Sequence, residues 1–226
     1  VSARAVIGFT LYVLLVPALL FISAGTWDWS LAWVYVILLL AATLGSRLIV
    51  LMRNPDTLRE RARFATAEGT PAWDRILGPI VGFFGPMVVM VIIGLDHRFG
   101  WSDLIPTGVQ YLATLAVAAG YGLAVWAMVV NRYFSSVARI QQDRGQVVIT
   151  AGPYCYVRHP SYAGAGLSYL ALPFMLDALW ALVPTLGALI ALVIRTRLED
   201  QMLREELDGY QRYAEETPYR LLPGLW

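Results

Sequence analysis

The sequence predicts an all-α fold: a polytopic integral membrane helical bundle of about six transmembrane helices with a cytoplasmic C-terminal helix. Three observations predict it. The 226 residues are 58% hydrophobic with a mean hydropathy of +0.59, above the ~45–50% apolar content of a soluble domain. The excess is gathered into blocks of span length. The basic residues between those blocks fall on alternate junctions.

A membrane helix needs about 20 mostly apolar residues. Ala5–Ser23, Leu31–Met52, Ile76–Leu95 and Thr107–Val130 each meet this need. The first run exceeds the ~7–15 residue core of a signal peptide, so it reads as a span although Ser23-Ala24-Gly25 follows it. The stretch Tyr162–Ile194, about 33 residues long, is too long for one span at ~1.5 Å per residue. Its interruption near Asp177 reads as a tight turn at Leu176–Asp177 between helices Tyr162–Met175 and Ala178–Ile194. The total is six spans, or five if the short Tyr162–Met175 helix does not cross fully. Asn54-Pro55 and Thr70-Pro71 punctuate the junction after the second span. Between them, Asp56–Ala67 reads equally well as an amphipathic surface helix or as a solvated connector. Asn131–Arg158 mixes Arg, Gln and Asp with apolar Val147-Val148-Ile149, which is more than a linker needs. From Arg195 the last helix leaves the membrane and continues to about Leu207, and the tail closes on Leu221–Trp226. Gly120, Gly122, Gly78 and Gly82 read as small residues that let helices approach closely. Residues 1–106 thus form three N-terminal spans with a cytoplasmic loop at 53–75. Residues 107–226 form a core of three spans with a cytoplasmic loop at 131–158, a C-terminal helix and a tail.

The charge pattern gives sidedness. All 17 basic residues are arginine, and only Arg98 falls on the far side, leaving 16 of 17 on one face. By the positive-inside rule that face is cytoplasmic, with both termini on it. Trp27, Trp29 and Trp101 sit in the opposite loops, as an interfacial belt does. A net charge of +1 gives no sign of a nucleic-acid partner, and a single cysteine, Cys155, excludes an internal disulfide framework. With only His97 and His159, no CxxC and no HExxH, no metal site is expected. No strand–GxGxxG–helix unit is present. The span centres lack Asp, Glu, Arg and His, which argues against ion transport. Nothing in the sequence sets the oligomeric state.

Two constellations carry candidate chemistry. The first is Gly152-Pro153-Tyr154-Cys155-Tyr156-Val157-Arg158-His159-Pro160-Ser161-Tyr162. Gly-Pro forces a turn, and Pro160 suits the first position of a helix, where its missing N–H costs nothing. Arg158 and His159 then stand at a helix N-terminus on the membrane boundary. That end has free N–H groups and partial positive charge suited to a carboxylate or phosphate. The alternative is that Arg158, Tyr154 and Tyr162 only anchor the chain at headgroup level. The second constellation is Arg195 to Glu206, in which Arg195 and Glu199 share a helix face. It reads either as a functional set or as an Arg–Glu pair closing a helix as it enters water.

Together these stretches resemble the isoprenylcysteine carboxyl methyltransferase family of integral membrane enzymes, and more loosely the phospholipid methyltransferases. The similarity runs from about Asn131 to Trp226. Its pattern is GPYxxVRHPxYxG at Gly152–Gly164, then Arg195, Glu199, Asp200 and Leu203, then Gly209-Tyr210 with Tyr213, then Leu222-Pro223-Gly224. The resemblance implies S-adenosylmethionine as methyl donor. It implies a cofactor pocket lined by Gln141, Gln146, Val147, Val148, Ile149, Tyr154, His159, Pro160, Ser161, Tyr162 and Glu199, with Arg195 binding the acceptor carboxylate. The implied partners are the lipid bilayer and a lipophilic or lipidated acceptor, such as an isoprenylcysteine-like or isoprenoid acid. Asp200 stands where relatives commonly carry a second Glu. A sulfonium, an amino-acid end and a flat adenine suit carboxylate, tyrosine and helix-terminus partners. Two rivals remain from the sequence. One is an NADPH-dependent membrane reductase of sterol-reductase type, with Arg139 and Arg144 on the 2′-phosphate. The other is a non-enzymatic membrane scaffold.

Overall fold

Residues 3–62 and 68–226 are described in the computed structural model of the protein, with side chains from Thr10 onward. Among them the chain forms nine α-helices and no strand. They are α1 (Ala3–Ala24), α2 (Ser30–Arg53), α3 (Pro55–Arg61), α4 (Asp74–Pro79), α5 (Gly85–Phe99), α6 (Thr107–Val130), α7 (Pro160–Met175), α8 (Leu182–Glu206) and α9 (Tyr210–Glu216). A π turn, Ile80–Phe84, joins α4 to α5 as one continuous run. Four segments are long and apolar enough to cross a membrane: Ser30–Arg53, Asp74–Phe99, Thr107–Val130 and Leu179–Glu206. The other two expected spans are also helical, as α1 and α7. With 16 residues, α7 reaches only about 24 Å, less than a hydrocarbon core of about 30 Å.

The expected hairpin turns where the sequence interrupts it. Asp177 adopts φ 49° between α7 and α8. Its carboxylate accepts the N–H groups of Leu104 (3.3 Å) and Ile105 (3.1 Å), which ties the turn to the loop before α6. The same end of the bundle is closed by buried Asp96, which accepts from Ser102 N (2.7 Å), Ser102 Oγ (2.8 Å) and Trp180 N (3.1 Å). The π turn has a local cause. Gly85 N–H bonds to Ile80, five residues back, and Pro86 has no N–H to give. The Val81 carbonyl is taken instead by the Tyr169 hydroxyl of α7 at 2.8 Å. The core between α1, α5 and α7 is built from Leu20, Phe21, Met90, Ile93, Leu172 and Met175. Outward-facing Leu14, Ile22, Leu112, Leu115, Val183 and Ile190 stay exposed, an apolar surface suited to lipid.

The structure departs from expectation at two places. Helix α3 covers only Pro55–Arg61 of the expected Asp56–Ala67 segment, whose residues 63–67 lie outside the described ones. It is no solvated connector, because Thr57 and Glu60 are buried. Gly82 and Gly122 have open space where a Cβ would stand, and Gly78 meets only the side chain of Asp74. The close approaches lie at Gly94, where a Cβ would stand 2.5 Å from the Leu20 carbonyl of α1, and at Gly120. A Cβ on Gly120 would stand 2.5 Å from the Gly164 carbonyl oxygen, and one on Gly164 2.9 Å from Ala124 N. Backbone-to-backbone packing there sets α7 against α6 and so fixes where the α7 N-terminus lies.

Gly120→Ala should therefore lower the thermal unfolding midpoint in detergent, at an overpacking cost of about 1–3 kcal/mol. Gly122→Ala, two residues along the same helix, should leave it unchanged or raise it, because Ala is the better helix former.

Candidate active site

The motif residues gather at one end of the bundle, where α2 and α6 end, α4 and α7 begin, and α8 emerges. Their framework is a single carboxylate. Arg158 makes a two-pronged ion pair with Asp200, Nε to Oδ1 at 2.6 Å and Nη2 to Oδ2 at 2.9 Å. Both side chains are wholly buried. Asp200 also accepts from Arg220 Nε (2.9 Å), Tyr210 Oη (3.1 Å) and Arg204 Nε (3.2 Å), and it lies 3.3 Å from His159 Nε2. The N–H groups of Arg158 and His159 donate to the carbonyls of Tyr219 (3.0 Å) and Arg220 (2.9 Å). Arg158 Nη1 reaches the Thr217 carbonyl at 2.7 Å. The start of α7, the end of α8, α9 and the tail are thus tied to one acid.

In front of this hub, Tyr162 in the first turn of α7 donates its hydroxyl to Glu199 Oε2 at 2.6 Å. The Arg195 guanidinium carbon lies 5.3 Å from the Tyr162 ring centroid, at cation–π distance. Arg195 does not close on Glu199, the pairing its helix spacing offered. It pairs with Asp74 in the first turn of α4, Nε to Oδ1 at 2.7 Å and Nη2 to Oδ2 at 3.3 Å. Asp74 is buried and also accepts the Ala138 N–H at 2.7 Å, while Arg195 Nη2 reaches the Ser136 carbonyl at 3.2 Å. Sequence reasoning missed Asp74. Its only local signal is an acid in a helix's first turn, and Arg195 lies 121 positions away.

The loop between α6 and α7 is pinned from within. Gln141 is buried, donates Nε2 to the Tyr133 carbonyl (2.6 Å) and receives Arg144 Nη1 on Oε1. Its N–H donates to Gln146 Oε1 at 2.6 Å. Val148 packs with Ile140, Leu203, Leu207, Tyr210 and Tyr213, Val147 is exposed, and Ile149 is half-buried. Tyr154 is buried in a 3-10 turn. Its hydroxyl donates to the Ala127 carbonyl (3.4 Å) and receives Asn131 Nδ2 (3.2 Å), and burial pushes its pKa well above the usual phenol range. From outside, Glu60 of α3 grips Arg139, with Nε to Oε1 at 2.6 Å and Nη2 to Oε2 at 2.9 Å. Those bonds raise the Arg139 pKa.

Of the residues expected at the site, the structure brings Tyr162, Glu199 and Arg195 together beside Pro160 and Ser161. The His159 ring lies parallel to that of Tyr162 at 5.7 Å, but its Nε2 faces Asp200. Gln141, Gln146 and Val148 make their contacts within the loop and with α8 and α9.

Residues 109–208 match the phospholipid methyltransferase family. The match runs from α6 through the pinned loop, α7 and α8, and so contains the Arg158–Asp200 pair and the Tyr162–Glu199–Arg195 contact. This family is related to the isoprenylcysteine carboxyl methyltransferases that the motifs resemble. A methyltransferase set in a membrane fits both the match and the four apolar helices. No curated protein matches the chain. Asp74, Glu60 and the helices that carry them precede the matched region.

Asp200→Asn should leave Arg158 buried without its counter-charge, a loss of about 3–5 kcal/mol. The expected result is a large fall in the unfolding midpoint in detergent. Arg204→Ala removes a partner whose side chain is 31% exposed and should cost less than about 1 kcal/mol.

Proposed function

We propose that the protein transfers a methyl group from S-adenosylmethionine to a lipophilic or amphipathic acceptor at the cytoplasmic boundary of the bilayer. The leading acceptor class is a carboxylate on an isoprenylcysteine-like or isoprenoid compound. The observation that carries this reading is the Tyr162–Glu199–Arg195 contact, built by two helices inside the family-matched region at the N-terminus of α7. The arginine-rich face supports the cytoplasmic assignment.

The residues present fit the donor. His159, the N-cap of α7, makes no side-chain cap, so the first-turn N–H groups are suited to a carboxylate. Glu199 is only partly buried, and its Oε1 takes no part in the bond from Tyr162, which suits an ammonium or ribose hydroxyl. Tyr162 offers a ring face beside both. Bound there, S-adenosylmethionine supplies an electrophilic methyl group on a cationic sulfonium. A carboxylate acceptor carries its own lone pair and needs no deprotonation. The chain therefore has no general base to provide, and orientation is its main contribution to the rate. Arg195, held rigid by Asp74 and Ser136, is placed to orient the acceptor. The reductase reading loses its support, because Arg139 is committed to Glu60 and Asp143, and Arg144 to Gln141 and the Arg132 carbonyl.

Calorimetry in detergent tests the reading. S-adenosylhomocysteine should bind the wild-type protein, and Glu199→Gln should weaken it at least about tenfold, the loss of one charge-assisted hydrogen bond of ~1.5–3 kcal/mol. NADPH should not shift the unfolding midpoint. Equal S-adenosylhomocysteine affinity in Glu199→Gln removes Glu199 from the site, and stabilisation by NADPH alone overturns the methyltransferase.

A further inference from the structure

A cavity of about 340 Å³ opens where α2 and α6 end. Among the described residues it is lined by Arg53, Asn54, Pro55, Asp56, Arg132 and Arg144. Tyr162, Glu199 and Arg195 take no part in it. Helix α2 stops at Arg53 and α6 at Val130, and both are long and apolar enough to cross a membrane. The cavity therefore lies at the depth of lipid headgroups. Leu51 and Met52, the two residues before Arg53, are each more than half exposed, so lipid-facing side chains stand next to the lining in the chain. The volume falls within the ~300–1,000 Å³ of small-molecule sites.

The wall is tied together from several elements. The Arg132 carbonyl accepts the Thr57 hydroxyl of α3 at 2.7 Å and Arg144 Nη2 at 2.8 Å. Thr57 is wholly buried. One carbonyl thus joins α3, the end of α6 and the loop before α7. The Arg132 and Arg144 guanidinium carbons lie 4.9 and 5.6 Å from the Tyr133 ring centroid, so one ring supports both arginines. Arg144 Nη1 is held by Gln141 Oε1. These partners are neutral: they position the guanidinium groups without cancelling their charge. Against three arginines stand Asp56 and the C-terminal ends of α2 and α6, which carry roughly −0.5 each. Asp56 is itself paired with Arg59 at 2.9 Å. The balance at the cavity is positive, and guanidinium groups match phosphate oxygens in pairs. Basic pockets between membrane helices at this depth suit lipid phosphates.

We propose that this cavity binds the phosphate of a membrane lipid, with the acyl chains beside Leu51 and Met52. The bound lipid braces the turn Gln141–Gln146 through Arg132 and Arg144. The site goes beyond the methyl-transfer reading and does not depend on it.

Native mass spectrometry of the full chain in uncharged detergent, with hydrogen exchange on the same sample, tests it. The probes are dioleoylphosphatidic acid, dioleoylglycerol with the same chains and no phosphate, and inorganic phosphate. Phosphatidic acid should bind. Dioleoylglycerol should bind at least about tenfold more weakly, since each arginine near the membrane surface is worth about fivefold toward an anionic lipid. Arg53→Gln and Arg132→Gln, both at exposed positions, should each weaken phosphatidic acid about fivefold. Arg212→Gln, the same charge change on the exposed side of α9, should leave it unchanged. Bound phosphatidic acid should slow exchange at the N–H groups of Arg144, Gly145 and Gln146, which bond within the turn. Inorganic phosphate at matched concentration should not displace the lipid. Equal binding of dioleoylglycerol, or an equal loss in Arg212→Gln, overturns the proposal by leaving only a general attraction of the basic face. Displacement by inorganic phosphate overturns it in favour of a free-phosphate site. Binding that leaves exchange in the turn unchanged overturns the bracing role. All these outcomes are read without S-adenosylhomocysteine, so the methyltransferase reading stands or falls apart from them.

Discussion

The Arg158–Asp200 pair is the constraint on which the reaction end depends. It joins two helices that the chain makes as a hairpin, α7 and α8, at the end away from their turn. A short turn holds one end of a hairpin and leaves the other free to splay. The pair, wholly buried and two-pronged, closes that free end. Tyr210 from α9 and Arg220 from the tail converge on the same carboxylate, so the C-terminal segments lock in place with the hairpin. The acid at the hub is an aspartate. Its short arm keeps the carboxylate close to α8, and the arginines reach in to it. This gives the acid a structural role and leaves Glu199, one position earlier, to face Tyr162.

Two further pairs bind the N-terminal half to this framework. Asp74–Arg195 and Glu60–Arg139 each cross the junction between the halves, linking α4 to α8 and α3 to the pinned loop. Both place an acid from before the family-matched region against an arginine within it. Burial makes each pair strongly dependent on both members, because removing one leaves an unpaired charge in a site of low polarity. The first three spans therefore do more than hold the protein in lipid. They set the position of Arg195 and of the loop that approaches the α7 N-terminus.

Much of this was legible in the sequence, because it is written in local patterns. Apolar blocks of span length located the helices, the interruption at Leu176–Asp177 located the hairpin turn, and the end of α8 fell at Glu206 beside the expected Leu207. Arg195 and Glu199 were placed on one face by their spacing alone. The pairings were not legible. Asp74 and Glu60 meet partners 121 and 79 positions away, and no periodicity links such residues. The glycines show the same limit. Gly82 and Gly120 look alike as small residues in apolar helices, yet only Gly120 faces another backbone. Likewise Gln141 and His159, marked by resemblance as pocket residues, make their contacts with the loop and with Asp200, since a motif fixes position more closely than it fixes which atom faces the ligand.

The distribution of charge carries the functional logic one step further. Arg158, Arg139 and Arg195 each have their charge met by a buried acid, Asp200, Glu60 and Asp74. Each pair holds structure, since removing one member leaves a buried charge unpaired. The buried acids therefore fix the end of the bundle at which α7 begins, where the Tyr162–Glu199 bond lies within the family-matched residues.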